Sequence, residues 1–201
     1  MLEPLPDEAE LVKRCAKGDT EAFGRLVTHY EDAIFNLVFR MVGNREDARD
    51  VTQEVFIRAF RSIGLFEGRS RFGTWLYSIA VNQSITERRR RALASRTGEV
   101  PMSALARDDG EAAYDPAGEG PAPSDRLDSE ETRRAVEEAI AELPEEHRAV
   151  VVLRDIHGLD YRGISEALRC SRGTVKSRLH RARAELKRKL GRTIMKDQGP
   201  K

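Results

Sequence analysis

Between Ala92 and Asp128 the chain loses every regular spacing of apolar residues. The run EVPMSALARDDGEAAYDPAGEGPAPSD is rich in Pro, Gly, Ala and acids, a composition that buries too little apolar surface to order itself. So long a structureless stretch is uncommon inside one compact domain. The sequence of 201 residues therefore reads as two small domains, 1–91 and 129–192, joined by a flexible linker over 92–128 and followed by a tail over 193–201. Charge follows the same division. Residues 1–91 hold 15 basic and 14 acidic side chains, 92–128 hold 3 and 8, and 129–201 hold 17 and 12, a pattern hidden by the overall net of +1.

The first domain is helical throughout. Asp19 is the expected N-cap of a long amphipathic helix in which Ala22/Phe23, Leu26/Val27, Tyr30, Ile34, Leu37/Val38 and Met41/Val42 recur at three to four residues. Gly43 stops it, and Asn44 with Asp47 starts the next. That second helix is expected to bury Ala48, Val51, Val55, Phe56, Ala59, Phe60 and Ile63, leaving Arg49, Asp50, Gln53, Glu54 and Arg58 outside or at its margin. After a turn over Gly64 to Arg71, Phe72, Trp75, Leu76, Ile79 and Ala80 resume the helical period, and the helix ends in the basic run Arg88 to Arg91. No segment alternates with period two or carries a hairpin turn, so the fold class is all-α.

In the last domain a helix over Ser129 to Leu143 stops at Pro144, and a second runs from near Glu145 to His157-Gly158. Two short helices then follow, Tyr161 to Leu168 and one capped by Ser171 whose buried stripe is Val175, Leu179, Ala182, Leu186 and Leu190. This is a helix-turn-helix. Residues 169–192 contain ten basic side chains against one acidic, Glu185, a field that steers toward polyanions. The major groove admits one helix, entered by its N-terminal part. Lys176, Ser177, His180 and Arg181 are therefore expected against base edges, and Arg172, Thr174, Arg178 and Arg183 on phosphates.

The segment Leu65 to Arg91 places aromatics beside amides and arginines. Trp75 and Asn82, seven apart, share a helical face. Planar groups to stack on, an amide for a base edge and cations for the backbone suit unstacked bases. Taken alone, Trp75 reads first as a core aromatic and Arg88 to Arg91 as a solvated helix end. The polar face around Asp47, Asp50, Gln53 and Glu54 names no partner by its residues.

Several classes are excluded. No run approaches a membrane span, and Met1 to Glu10 is acidic where a secretory signal is basic and then apolar. A cytoplasmic protein is expected. Cys15 and Cys170 stand one in each half and make no ligand pair. His29, His147, His157 and His180 are scattered without metal-ligand spacing, and no nucleophile stands with partners. No cofactor, metal, small-molecule substrate or catalytic residue is expected, so the chain does not read as an enzyme.

The strings EDARDVTQEVF from Glu46, FEGRSRFGTWLYSIAVN from Phe66 and ELPEEHRAVVVLRDIHGLDYRGISEALRCSRGTVKSRLHRARAEL from Glu142 resemble an extracytoplasmic-function sigma factor of bacterial RNA polymerase, in the sigma-70 family. The resemblance spans nearly the whole chain outside the linker and tails. It implies a region 2 domain followed by a region 4 domain, and a function in initiation: binding core polymerase and directing it to promoters. Asp47, Asp50, Gln53, Glu54 and Phe56 would contact, or support contact with, the β′ clamp helices, and region 4 the β flap. Phe66, Gly68, Arg69, Ser70, Trp75, Asn82 and Arg88 would serve the melted minus-10 element, and the helix after Ser171 the minus-35 duplex. Promoter DNA, core polymerase and an anti-sigma factor are the implied partners, although no residue identifies that inhibitor.

A flexible linker of this length spans roughly 30 to 36 Å, whereas elements two helical turns apart lie roughly 70 Å from each other. Promoter spacing is thus expected to be set by the polymerase. The rival reading, a helix-turn-helix regulator that is no polymerase subunit, would require a receiver or ligand domain upstream. Residues 1–91 show no alternating strand and helix pattern for one.

Overall fold

The computed structural model describes residues 2–97 and 123–197, with side chains over 2–95 and 132–191. Among the described residues every regular element is helical, and no helix is long and apolar enough to cross a membrane. The first module comprises α1 (Glu8–Ala16), α2 (Thr20–Val42), α3 (Arg45–Ser62) and α4 (Phe72–Thr97). The second comprises α5 (Pro123–Ala141), α6 (Glu145–Val151), α7 (Tyr161–Ala167) and α8 (Arg172–Asp197). Most of the expected linker lies outside the described residues, and helix covers both of its ends, because α4 runs to Thr97 and α5 starts at Pro123.

Local chemistry accounts for the boundaries. The Asp19 carboxylate accepts from the Ala22 N–H at 3.0 Å and the Asn44 side chain from the Asp47 N–H at 2.9 Å, each satisfying a donor that the first helical turn leaves without a partner. Gly43 leaves α2 at φ 84°, in the left-handed region that closes a helix. Asp160 caps α7 through the Gly163 N–H at 2.7 Å, and the Ser171 hydroxyl caps α8 through the Thr174 N–H at 3.0 Å. Helix α1 was not foreseen. It lays Leu11, Val12 and Cys15 against the first module.

The core of the first module is Leu26, Ile34, Leu37, Met41, Val55, Leu76 and their neighbours, and that of the second is Leu143, Val150, Leu153, Ile164, Val175 and Leu179. Leu186 and Leu190, expected in the buried stripe of α8, are only half-buried as that helix leaves its module. The two modules pack directly on each other: α7 lies on α4, while α5 and α6 meet α2, and one apolar cluster runs through both. Between α6 and α7 the chain makes a π turn over Val152–Ile156, closed by the His157 N–H donating to the Val152 carbonyl at 3.0 Å.

Candidate nucleic-acid and protein interfaces

Helix α8 presents its N-terminal turns outward. Arg172, Lys176, Ser177, His180 and Arg181 are exposed, while Val175, Leu179 and Ala182 hold the opposite face in the core. Lys176 with His180, and Ser177 with Arg181, are one turn apart and form a continuous polar strip. Thr174 is half-buried and shares a hydrogen bond with Ser171 at 2.9 Å between their hydroxyls. Two arginines expected on phosphates are held elsewhere in this state. Arg178 pairs with Glu146 of α6 at 2.5 Å, and Arg183 pairs with Asp155 through both guanidinium and carboxylate forks. Neither carboxylate lies near them in sequence, so no local spacing signals these pairs.

The loop before α4 is built around aromatics. The ring of Phe66 lies 5.2 Å from Trp75 and 5.9 Å from Phe72, with Phe72 and Trp75 5.5 Å apart, spacings at which tilted rings attract. Phe72 also meets Tyr30 of α2 at 5.6 Å, so the cluster is seated on the core while Phe66 and Trp75 stay half-exposed. Trp75 is thus neither fully buried in the core nor fully exposed. Gly68 has φ 69°, a backbone conformation that a side chain would strain. Arg69 is exposed and ion-paired with Glu67, Ser70 donates to the Arg71 carbonyl at 3.3 Å, and Asn82 stands exposed two turns beyond Trp75. Arg88 departs from its expected place. It is half-buried, donates to the Met41 carbonyl at 3.4 Å, and burial lowers its pKa. Its neighbours in the basic run are likewise engaged, Arg89 with Glu145, Arg90 with Glu87 and Arg91 with Asp47.

A third surface lies between α2 and α3. An apolar groove of about 760 Å³ is lined by Phe23, Val27, Phe35, Phe56, Ile57 and Phe60, with Arg49, Gln53 and Glu31 among its polar edges. Phe56 is half-buried and Phe60 is 36% exposed, so both belong to this groove where the periodicity assigned them to the core. Of the acidic face, Asp50 and Gln53 are exposed, and Glu54 bonds Arg58 at 2.8 Å. Asp47 is turned inward. It is buried against Arg91 of α4, and burial raises its pKa while Arg91 opposes the rise. It can position α3 but does not present its carboxylate to a partner. The groove residues of α2 were missed as a surface, although adjacent apolar pairs such as Ala22/Phe23 and Leu26/Val27 spread over a wider arc than one core face requires.

Two family descriptions match the chain, sigma-70 region 2 over residues 26–93 and sigma-70 region 4 over residues 133–186. It is 38% identical over 193 residues to the ECF RNA polymerase sigma-E factor of Haemophilus influenzae, spanning 94% of this chain and 98% of that one. It is 36% identical over 187 residues to the ECF RNA polymerase sigma factor SigW of Bacillus subtilis, spanning 89% and 94%. Two solved structures share the fold at 22% identity. CnrH, in complex with the cytosolic domain of CnrY, aligns with a TM-score of 0.61 over 94% of this chain and 97% of that one. The sigma factor RpoE of Bartonella quintana, in complex with the anti-sigma factor NepR, aligns with a TM-score of 0.63 over 84% and 96%.

Proposed function

The chain belongs to the sigma-70 family of transcription initiation factors, in its extracytoplasmic-function branch, and from that premise we propose how its surfaces divide the work. Core RNA polymerase docks along the α2–α3 groove with Asp50, Gln53 and Phe56, and the β flap takes the second module. Helix α8 reads minus-35 duplex through Lys176, Ser177, His180 and Arg181. The cluster of Phe66 and Trp75, with Gly68, Arg69, Ser70 and Asn82 around it, receives an unstacked base of the minus-10 element. Arg178, Arg183 and Arg88 join the DNA contacts by leaving their present partners, and an anti-sigma factor is the further partner. The chain performs its role in the cytoplasm, and bond chemistry is left to the polymerase.

The observation that carries this reading is the coexistence of two unlike surfaces. One is a cationic helix face suited to paired DNA, and the other is a half-exposed aromatic cluster suited to a base outside the stack. Extruding a base costs a few kcal/mol, and stacking at about 1–3 kcal/mol per base offsets it, so strand opening becomes sequence-dependent without nucleotide hydrolysis.

The test separates the two. With core polymerase and a promoter that needs both elements, Lys176→Ala is expected to relax minus-35 preference by about 1–3 kcal/mol while leaving opening on a pre-melted template intact. Trp75→Ala is expected to spare duplex binding and to impair opening, read by permanganate reactivity of unpaired thymines. Equal losses for both variants in both assays would refute the division.

A further inference from the structure

The contact between the modules has a chemistry of its own. The Met41 carbonyl, at the end of α2, accepts from Arg148 at 2.7 Å and from Arg88 at 3.4 Å, one guanidinium from each module. Arg89 of α4 meets Glu145 of α6 at 3.2 Å. Gly163 of α7 faces Thr74 of α4 so closely that a Cβ on it would lie 3.7 Å from the Thr74 hydroxyl. These contacts are made by guanidinium groups, a backbone carbonyl, a carboxylate and small side chains.

His157 differs. The π turn carries it into the interface, where it is 8% exposed and its ring centroid lies 5.2 Å from that of Tyr77. Its Nε2 and the Tyr77 hydroxyl are both buried without a hydrogen-bond partner among the described residues. Burial acts most strongly on the imidazole, the Arg40 guanidinium of α2 further disfavours its protonation, and no carboxylate among the described residues opposes them. The facing Tyr77 of α4 stays neutral, its pKa pushed up to about 12 by burial. A proton on Nε2 has no acceptor among the described residues in the docked arrangement, and an undocked imidazole can turn that nitrogen to water.

We propose that the docking of the second module on the first is a latch released by acid, in which protonation of His157 drives the modules apart. Docking also has a geometric cost for promoter use. At about 8–10 Å per helix contact, α8 lies roughly 20 Å from α4, with α7 between them. Elements two turns apart stand roughly 70 Å from each other. Docked modules therefore cannot engage both elements at once, and the open chain can. Only this consequence rests on the promoter-binding reading, since the docking equilibrium stands without it.

The sign follows from linkage. The pKa of His157 falls from an ordinary 6.5 to about 4 in the docked state. Its contribution to docking is therefore complete above pH 6.5 and declines as pH falls toward 4. Between pH 7.5 and 5.5 the opening constant rises about tenfold.

The test places a thiol inside the interface of the full chain. Thr74→Cys is buried by α7 and reacts with N-ethylmaleimide only on opening, and labelling of its peptide is followed by mass spectrometry. Dividing the rate by that of the same chain carrying His157→Phe cancels the pH dependence of the thiolate and of the other histidines. The ratio is expected to rise about tenfold from pH 7.5 to 5.5, and a ratio that changes less than twofold overturns the proposal. His157→Gln is the second reference. Should both replacements open the interface by themselves, the ring-proton titration of His157 by NMR in the unsubstituted chain decides: a midpoint below pH 5 supports the latch, and one near 6.5 refutes it.

Discussion

Replacing Arg148 with Met is expected to lower the unfolding free energy by about 3–5 kcal/mol. This side chain is 2% exposed, among the most buried in the protein. Its Nε donates to the Ile140 carbonyl at 3.0 Å and its terminal nitrogens to Leu143 at 3.0 Å, to Met41 at 2.7 Å and to Ala141. Helix α5 ends at Ala141, so its last carbonyls have no partners further along the helix. Arg148, from the following helix, reaches back and caps them. Methionine keeps the apolar stem and leaves the Ala141 and Leu143 carbonyls dry, each at about 1–3 kcal/mol before relaxation, while the Ile140 and Met41 carbonyls keep only the Leu143 N–H and Arg88. Lysine, a compact charge with donors at one point, cannot fan across carbonyls on several sides and is expected to recover only part of the loss. Urea denaturation followed by far-ultraviolet circular dichroism measures both, and a loss below about 1 kcal/mol for the Met variant would contradict the capping role.

The second large effect concerns the α2–α3 groove. Ile57→Asp is expected to weaken binding to core polymerase by about 2–4 kcal/mol, or roughly 30- to 1,000-fold in Kd, the range of a central apolar anchor. Ile57 is 37% exposed and lines the groove beside Phe56 and Phe60. A carboxylate there enters water in the free protein and would be desolvated only in the complex. The fold should survive, as an unchanged dichroism spectrum would show. Binding is measured by titrating labelled core enzyme at fixed salt, with Trp75→Ala as a control expected to bind normally. Unaltered affinity of Ile57→Asp would remove the groove from the docking surface.

Much of the architecture was legible because it is written locally. The caps at Asp19, Asn44 and Ser171 act within three residues, and the stop at Gly43 within one turn. The strip of Lys176, Ser177, His180 and Arg181 followed from the stripe opposite it, since burial of Val175 and Leu179 fixes what must face outward. The arginines were harder. The carboxylate partners of Arg178, Arg183 and Arg89 lie 32, 28 and 56 residues away, and no spacing rule reaches that far. The partner of Arg88 is a backbone carbonyl, which carries no signature in sequence at all. The α2–α3 groove is half-legible: Phe23, Val27, Phe56 and Phe60 fall on the apolar stripes while Phe35 and Ile57 do not, and periodicity does not distinguish an aromatic that completes a core from one that lines a surface. The inward turn of Asp47 was hidden for the same reason as the ion pairs, because Arg91 stands on another helix.

Module docking within a single polypeptide has one more consequence. An association between separate molecules is strengthened by making more copies, whereas one between tethered halves proceeds at an effective concentration of about millimolar, fixed by the tether. The closed fraction of this chain is then the same whether a cell holds ten molecules or ten thousand. Overproduction alone would raise the number of open molecules only in proportion, and a steeper response requires something that changes the affinity of one half for the other.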